Sequence, residues 1–402
     1  MRPHRTASRS RPGAILPCLF GALPCWPRHG ARGTRIHRSI LKGHRIMNQF
    51  PPVIRVGLIG YGFAGKTFHK PLLMAEPRMR ITRVASSDSG KVHADLPDVA
   101  VDAEPAALLT NEDVDLVVIA TPNEYHAPLA RQALLAGRNV VVDKPFTLTL
   151  AQARELVALA ARQDRLLSVF HNRRWDSDFL SVKNAIAGGL IGRVTHFESH
   201  FDRFRPVVRK RWREGNEPGA GLWFDLGPHL VDQALCLFGL PRSVHGDLMM
   251  QREGALSDDW AHVALEYDRH RVILHGSMLV AGGVPRFLVH GERGSILKRR
   301  PDGQEAQLLA GMTPGDAGWG HDPDPLLAYD GNGSEQEIPA LMGDQRRYYA
   351  GIVDALTGIG PNPVPPIQAL AVMAVIEAAN RSAREKASVG LDLTNEEIAA
   401  WP

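Results

Sequence analysis

Residues 53–65 read Val53-Ile-Arg-Val-Gly-Leu-Ile-Gly60-Tyr-Gly62-Phe-Ala-Gly65, an apolar run that leads directly into three closely spaced glycines. The run predicts a buried strand over 53–59, followed by a helix over 66–75. Further helices are predicted at 126–136 and 150–162, alternating with apolar strands at 81–86, 114–120, 139–142 and 166–170. Apolar strands that alternate with helices predict an α/β Rossmann domain with a doubly wound parallel sheet.

The pattern changes after residue 170, so a second domain is predicted over 171–402, beside the first over 47–170. Its strands follow one another without intervening helices, near 193–201, 243–251, 260–268, 271–281 and 287–297. Such a succession predicts an α+β domain with a large, mostly antiparallel open sheet. Residues 301–343, rich in Gly, Pro and Asp, are predicted to form a long loop. Helices are predicted at 176–187, 224–238, 344–357 and 366–386.

The charge of the chain is unevenly distributed. Residues 1–46 carry nine Arg and one Lys with no Asp or Glu, which leaves 37 basic and 43 acidic residues in the remainder. Because the remainder is mildly acidic, no nucleic-acid surface is expected. The basic leader is expected to be disordered or an artefactual upstream extension, with Met47 as the normal start. A targeting segment is the alternative interpretation.

Cysteine usage and hydropathy favour a protein of the reducing cytoplasm. Two of the three cysteines, Cys18 and Cys25, lie in the leader, so Cys236 has no partner for a disulfide framework or a zinc motif. After the leader, no apolar run reaches about 18 residues, and no membrane association is therefore expected.

The three glycines form a G-x-G-x-x-G motif between the first strand and the first helix. Gly60 would permit the tight turn, Gly62 would let the backbone approach a pyrophosphate, and Gly65 would allow close packing of the helix. The free N–H groups at the start of the helix would hold the phosphates. The motif therefore predicts dinucleotide binding by the whole loop, which also includes Tyr61, Phe63 and Ala64.

The end of the second strand bears on which dinucleotide is bound, and there the chain reads Ala85-Ser86-Ser87-Asp88-Ser89-Gly90-Lys91. Ser86 and Ser87 could donate hydrogen bonds to the 2′-phosphate of NADP, and Lys91 is near, so NADP(H) is preferred. Asp88 keeps NAD(H) open, because a carboxylate there can accept hydrogen bonds from the ribose hydroxyls. Asp88 could equally serve as a turn or helix cap.

A third strand end follows the run at 114–120 and reads Thr121-Pro122-Asn123-Glu-Tyr-His126. It lies at the carboxyl edge, where an open sheet binds its ligand. These residues are therefore candidate cofactor contacts, with Pro122 making the turn rigid. Asn123 could instead be the N-cap of the next helix, which does not exclude contact with a ligand.

A lysine stands at the same edge, where Asp143-Lys144-Pro145 follows the strand at 139–142. The fixed φ of Pro145 restricts the residue before it and would aim Lys144 in one direction. An ammonium group there could contact the cofactor, or hydrogen-bond a substrate oxygen and stabilise its developing negative charge.

An aspartate and a histidine lie close together in the sequence of the second domain. Asp225 and His229 are four residues apart, which places them on one face of the predicted helix. A histidine satisfied within the core is the alternative interpretation. Two ligands without a Cys or Glu to complete the set predict no metal site.

Together these blocks resemble the glucose-fructose oxidoreductase/inositol dehydrogenase/rhizopine-catabolism (Gfo/Idh/MocA) family over residues 53–390. Within that family the chain looks most similar to the NADP-dependent scyllo-inositol dehydrogenases, through His171-Asn-Arg-Arg-Trp175-Asp, Arg203-Phe-Arg-Pro206, Arg211-Trp-Arg213 and Asp225-Leu-Gly-Pro-His229. The family usually has Glu-Lys-Pro where this chain has Asp143-Lys144-Pro145, an exchange that keeps the carboxylate. NADP-dependent relatives often have Arg near the second strand end, whereas this chain has Asp88.

The resemblance implies a nicotinamide-dependent dehydrogenase with Lys144, Asp225 and His229 as catalytic residues. Neutral His229 would accept the hydroxyl proton, Lys144 would orient the oxygen, and Asp225 would position the hydroxyl or the imidazole while hydride passes to the nicotinamide. The reverse reaction would reduce a ketone, and neither direction needs a metal. The resemblance also implies a homodimer or homotetramer formed through the sheet of the second domain.

The expected substrate is a polyol or sugar, with scyllo-inositol as the sharpest candidate. His171 and Trp175 are expected to bind it together with the three catalytic residues, although Trp175 could instead pack between the domains. Four arginines could close over substrate or cofactor phosphate or form a solvated loop: Arg203, Arg205, Arg211 and Arg213. Two alternatives stay open. One is a reductase of another carbonyl or cyclic compound, and the other is a non-catalytic NAD(P)-sensing regulator, which the presence of Lys144 and His229 disfavours.

Overall fold

The structure is a computed structural model that describes residues 53–401. The expectations for residues 1–46 and for the start at Met47 fall outside this range. Among residues 53–401, no helix is long and apolar enough to cross a bilayer.

The first domain contains a six-stranded sheet in which every neighbouring pair is parallel. The order is β3-β2-β1-β4-β5-β6, for β1 Ile54–Ile59, β2 Met79–Ala85, β3 Ala100–Asp102, β4 Leu116–Ile119, β5 Asn139–Val142 and β6 Leu167–Val169. The chain builds outward from β1 to β3 and then crosses to β4 on the other side, which confirms the doubly wound sheet. Strands β1 and β4 are neighbours, but the chain continues from them toward opposite edges of the sheet. Doubly wound sheets bind their ligands at this switch point.

Helices connect these strands. The predicted helix at 66–75 is a π-helical segment, Gly65–His69, that continues as α1, Lys70–Met74. The other helices are α2 Ser89–His93, α3 Pro105–Thr110, α4 His126–Leu135 and α5 Leu150–Gln163. The sequence did not predict β3, α2 or α3, because elements of three to six residues are too short to show a hydrophobic period.

The second domain contains an eight-stranded sheet in the order β14-β13-β12-β11-β7-β10-β9-β8. Its strands are β7 Val194–Asp202, β8 Ser243–Met249, β9 Trp260–Glu266, β10 Arg271–Ser277, β11 Phe287–Gly291, β12 Gly294–Lys298, β13 Leu326–Asp330 and β14 Glu335–Ile338. Only β7 and β10 pair in parallel, which confirms the mostly antiparallel sheet. The helices are α6 Ser177–Ala187, α7 Leu222–Phe238, α8 Gln304–Leu309, α9 Arg346–Leu356, α10 Pro366–Glu385 and α11 Asn395–Ala399.

Two predictions for this domain were wrong. The single strand expected at 287–297 is the hairpin β11–β12, which turns at Glu292 and Arg293. Apolar residues flank the short turn on both sides, at 287–289 and 296–297, so the segment reads as one strand unless the turn Gly291-Glu-Arg-Gly294 is recognised. The long loop expected at 301–343 contains α8, β13 and β14. These are short elements at and near the edge of the sheet, among the Gly- and Pro-rich turns that masked them.

The two faces of this sheet differ. On β9, Ala261, Val263 and Leu265 are buried against α7, while the alternating residues Trp260 and His262 are half-buried on the other face. We refer to this second surface, which carries alternate residues of β7, β9, β10 and β11, as the open face. Helix α7 therefore packs on one side of the sheet and presents Asp225 and His229 on the side of the first domain.

Candidate active site

The glycine loop fits the conformation that the motif predicts. Gly60 has φ +94°, and a Cβ there would lie 2.7 Å from the carbonyl oxygen of Ala120. A Cβ at Gly65 would collide with the carbonyl oxygen of Gly60. A Cβ at Gly62 would meet no protein atom within 4 Å. The fold itself therefore accounts for Gly60 and Gly65 but not for Gly62, and the space beside Gly62 suits the close approach of a pyrophosphate.

The side chains of the loop have different surroundings. The Tyr61 hydroxyl is buried and donates a 3.0 Å hydrogen bond to Asp95, which also pairs with Lys66 at 2.8 Å. Tyr61 can therefore contribute only its backbone to a ligand. Phe63 is exposed and packs edge-to-face on Phe68.

Asp88, at the end of β2, caps a helix. Its Oδ1 accepts a 2.9 Å hydrogen bond from the Lys91 backbone N–H at the start of α2, which is the alternative role weighed for it. Ser86 Oγ accepts from the Asp88 N–H at 3.2 Å, and the side chain of Ser87 is exposed.

The loop after β4 is fixed by hydrogen bonds to the backbone. Both ring nitrogens of His126 lie against carbonyl oxygens, Nδ1 at 2.7 Å from Pro145 and Nε2 at 3.0 Å from Thr121. His126 is only 1% exposed, so it ties the loops after β4 and β5 together and has no free nitrogen for a cofactor. Asn123 does not cap the next helix, because its Nδ2 donates to the Gly219 carbonyl of the second domain at 3.0 Å. Pro122 directly precedes the short helical turn that Asn123 begins.

Lys144 and Asp225 meet between the two domains. Lys144 lies just after β5, and Asp225 lies in the first turn of α7, whose start is held by Asp258 accepting from the Trp223 N–H at 2.7 Å. Lys144 Nζ donates to the Asp225 carbonyl at 2.7 Å and to Asp225 Oδ1 at 3.2 Å. A third N–H of the ammonium group remains for a further acceptor. Arg213 Nε lies 3.5 Å from the same Oδ1.

This pairing determines the charge of Asp225. Burial would raise the pKa of the carboxyl, but Lys144, Arg213 and Arg203 together hold it well below its usual range. Asp225 is therefore ionised, and it holds Lys144 as a fixed cation. Among residues 53–401 no hydrogen bond joins Asp225 to His229, so the carboxylate orients Lys144 rather than the imidazole.

His229 is buried and electrically neutral near pH 7. Burial, Lys144 and Arg173 lower the pKa of its imidazole well below the ordinary value of 6.5. Its Nδ1 is buried without a hydrogen-bond partner among residues 53–401. A neutral imidazole is the form that can accept a proton.

Neighbouring ionisable groups are perturbed as well. Burial lowers the pKa of His171 to about 4. Burial raises the pKa of Asp143, but His69, Lys144 and His126 outweigh it and bring the value to about 2. Strongly shifted groups that cluster in one place are typical of an active site.

A cavity of about 240 Å³ joins these groups. It is lined by Phe63 and Ala64 of the glycine loop and by Lys144, Asp225 and His229. The four predicted arginines also line it. Arg203 is half-buried, and no carboxylate among residues 53–401 lies within 4 Å of its guanidinium group. The arginines therefore face the cavity rather than forming a fully solvated loop.

Two predicted substrate contacts, His171 and Trp175, are not among the residues that line this cavity. His171 is 1% exposed, and both of its ring nitrogens are buried without partners among residues 53–401. Trp175 packs edge-to-face on Tyr348, 5.8 Å between ring centroids, which is the packing role weighed for it. The His171 side chain is buried, and the Trp175 side chain packs against the core.

Several cavity residues were not predicted. Arg173 lies within the segment His171–Asp176, whose resemblance to the family could have identified it. Its guanidinium group donates to Asp176 at 3.1 Å and to Glu305 at 2.5 Å. Glu305 comes from α8, in the region expected to be a loop. Gln345, more than 170 residues beyond Asn172, accepts a 3.0 Å hydrogen bond from it. No local pattern marks Glu305 or Gln345, because only the fold brings them to the site.

Comparisons with protein families agree with this architecture. Residues 54–171 match the model of an oxidoreductase family described as an NAD-binding Rossmann fold, and residues 183–391 match its C-terminal alpha/beta domain. The two matches together cover most of the described chain.

Individual relatives match over nearly their whole length. The uncharacterized oxidoreductase YdgJ of Escherichia coli is 52% identical over 341 residues, 84% of this chain and 99% of that protein. The scyllo-inositol 2-dehydrogenase (NADP(+)) IolW of Bacillus subtilis is 36% identical over 359 residues, 88% and 99% of the two chains. A crystal structure of an oxidoreductase from Klebsiella pneumoniae superposes with a TM-score of 0.83 at 57% identity, covering 87% and 98%.

Proposed function

The chain belongs to the Gfo/Idh/MocA family of NAD-binding oxidoreductases, and we propose that it is a dehydrogenase that transfers hydride between NADP(H) and an alcohol or ketone group of a polyol or sugar. The observation that carries this proposal is the Lys144 ammonium group, held 2.7 Å from the Asp225 carbonyl in a cavity that neutral His229 also lines. A fixed cation beside an uncharged base suits the oxidation of a hydroxyl group.

The roles of the residues follow from their charges. Lys144 donates its remaining N–H to the substrate oxygen and stabilises the negative charge that develops there. His229 accepts the hydroxyl proton in oxidation and returns it in reduction. Asp225 is a positioning residue, because it accepts a hydrogen bond from Lys144 and aims the ammonium group. When bound, the nicotinamide supplies the hydride acceptor.

The cofactor would lie along the glycine loop and the strand ends. The backbone of residues 60–65 would hold the pyrophosphate, with Gly62 allowing its close approach. Our preference for NADP(H) rests on Ser86, Ser87 and Lys91, and on Asp88 already accepting a hydrogen bond from a helix N–H. IolW, a relative at 36% identity, is described as NADP(+)-dependent. Ser87→Glu should lower the ratio of kcat/KM for NADP⁺ to kcat/KM for NAD⁺ from above one to below one, because a carboxylate repels the 2′-phosphate of NADP⁺.

The proposed substrate is a polyhydroxylated ring or chain, with scyllo-inositol as the first candidate. Support comes from the likeness to IolW and from the many donors in the cavity, including Arg203 and Arg213. These side chains can donate hydrogen bonds to several hydroxyl groups at once. Other carbonyl or cyclic compounds on the same scaffold form the second candidate class, because a fold does not determine a substrate.

The decisive experiment follows NADPH and NADH formation with a panel of inositols, sugars and hydroxy acids. We expect turnover with at least one polyol and a higher kcat/KM with NADP⁺. Cofactor binding without turnover of any compound, in either direction, would contradict the proposal and favour a sensing role. We further propose a homodimer or homotetramer, which rests on the family resemblance. Sedimentation of a monomer at micromolar concentration would contradict that assignment.

A further inference from the structure

A row of histidines crosses the open face of the eight-stranded sheet. His200 on β7 pairs with His275 on β10, and His275 pairs in turn with His262 on β9. Asp202 lies two residues after His200 on the same face of the same strand. The side chains of His200 and His275 are only 16% and 14% exposed, and that of Asp202 only 4%. None of these four residues lines the active-site cavity.

Three of these side chains present their ligand atoms to a common point. His200 Nδ1 lies 3.4 Å from Asp202 Oδ2, and His275 Nε2 lies 3.6 Å from Asp202 Oδ1. All three groups have ligand atoms within 4.8 Å of one another. Zinc bonds of about 2.0–2.1 Å in a tetrahedron place neighbouring ligand atoms about 3.3 Å apart. The separations in this cluster are therefore close to those of a zinc site.

Asp202 supplies a second, independent observation. Both of its carboxylate oxygens, and His200 Nδ1, are buried without a hydrogen-bond partner among residues 53–401. A buried carboxylate without a partner is costly, because it has lost its water without gaining a donor or a cation. A divalent cation between the carboxylate and the two imidazoles would satisfy all three groups.

The outer contacts of the histidines are those that a metal ligand needs. His200 Nε2 lies 2.9 Å from Glu198 Oε2, which can accept a hydrogen bond from an Nε2–H, and in that tautomer Nδ1 has its lone pair available to a metal beside Asp202. His275 Nδ1 lies 3.4 Å from His262 Nδ1, which can accept a hydrogen bond from the Nδ1–H of His275 and so leave Nε2 free to bind a metal. Metal-binding histidines usually have such a partner on the second nitrogen, which fixes both tautomer and orientation.

We propose that His200, Asp202 and His275 bind a zinc ion, with water completing the coordination. The expectation of no metal was drawn from local spacing, and spacing cannot reveal this set because His275 is far along the chain from the other two ligands. The ion would join the end of β7 to β10, where the chain leaves the sheet toward Arg203. It has a structural role and takes no part in hydride transfer.

The test is a zinc titration of the full chain by isothermal calorimetry, after removal of metals with a chelator. We expect one site per chain whose affinity falls at least 100-fold in Asp202→Asn and in His275→Gln. Glu198→Gln should weaken binding about 10-fold to 100-fold through His200. His290→Gln is the matched control, because His290 lies on the neighbouring strand of the same face and stacks on His196 outside the cluster. Circular dichroism checks that each variant is folded.

Cobalt substitution identifies the ligands directly. A spectrum of nitrogen and oxygen coordination, lost in Asp202→Asn, supports the site, whereas thiolate charge-transfer bands would assign the metal to cysteine and overturn the proposal. Absence of a zinc site in the wild-type chain, or equal affinity in Asp202→Asn and the wild type, would also overturn it. Lys144→Met should bind zinc normally, so a failure of the proposed dehydrogenase activity would leave this result unaffected.

Discussion

Replacement of Lys144 by Met tests the catalytic pair most directly, because Met keeps an unbranched side chain of nearly the same shape as far as Cε and removes the ammonium group. Lys144 Nζ lies 3.2 Å from Asp225 Oδ1. At an effective dielectric constant of about 20, two unit charges at this distance attract by roughly 5 kcal/mol, and desolvation of both ions offsets part of this. Removing one partner of a buried pair typically costs about 3–5 kcal/mol.

The expected loss of stability is smaller, because a second cation stays in place. Arg213 Nε lies 3.5 Å from Asp225 Oδ1 and continues to compensate the carboxylate. We therefore expect Lys144→Met to lower the free energy of unfolding by about 2 kcal/mol. The loss of a hydrogen bond that stabilises developing charge should lower kcat by about 10²-fold to 10³-fold.

The double variant Lys144→Met/Asp225→Asn separates the two effects. Removing the unpaired carboxylate should restore about 1 kcal/mol of stability, while activity stays low because the ammonium group is still missing. Urea denaturation gives the unfolding free energies, and absorbance of the reduced nicotinamide gives kcat with the substrate found by the panel. A kcat for Lys144→Met within about 3-fold of the wild type would refute its role in stabilising charge.

Three further predictions concern the base, the glycine loop and the arginines. His229→Asn should lower turnover about 100-fold. The wild-type kcat/KM for oxidation should fall only below pH 6.5, because protonation of His229 removes the base and burial lowers the pKa of its imidazole. A fall in kcat/KM that begins at or above pH 6.5 would contradict this assignment. Gly62→Ala should leave the melting temperature within about 2 °C of the wild type and weaken cofactor binding at least 10-fold. Gly65→Ala should instead destabilise the fold by about 3 kcal/mol, because its Cβ collides with the Gly60 carbonyl. Equal melting temperatures for the two variants would disprove this distinction. Arg203→Gln should raise the KM of the substrate more than it lowers kcat, which steady-state kinetics would show, while an unchanged KM would remove Arg203 from substrate binding.

The sequence was sufficient to predict the fold of the first domain, because the same pattern of an apolar strand followed by a helix recurs along it. Strands β1, β4 and β5 are rich in Val, Ile and Leu, and each is followed by a helix or a glycine turn, so the errors there concern only short elements such as Ala100–Asp102. In the second domain, the hairpin at Phe287–Lys298 and the strands within 301–343 were missed. Antiparallel strands joined by tight turns keep the same alternation in both directions, so their number cannot be counted from the pattern alone.

For the candidate active site, residue type and position in the fold coincide for Lys144 and Asp225. Lys144 stands at a strand end and Asp225 begins a helix, and the structure brings the two side chains into contact. His171 and Trp175 flank the cavity-lining residues Asn172 and Arg173 in sequence, but their own side chains pack in or against the core. A side chain at a strand end faces either the ligand or the interior, and that choice depends on contacts that only the tertiary structure supplies.

The contact between Lys144 and Asp225 also determines how the site is assembled. Lys144 belongs to the first domain and Asp225 to the second, so neither domain alone contains the ammonium group in its working position. A second contact, from Asn123 after β4 to the Gly219 carbonyl just before α7, joins the two domains at 3.0 Å. Because both contacts converge on the chain around the start of α7, docking of the domains aims Lys144 before substrate arrives. Activity should therefore depend on the interface around Gly219 as strictly as on the catalytic residues themselves, since an ammonium group displaced by about 1 Å loses most of its effect on the developing charge.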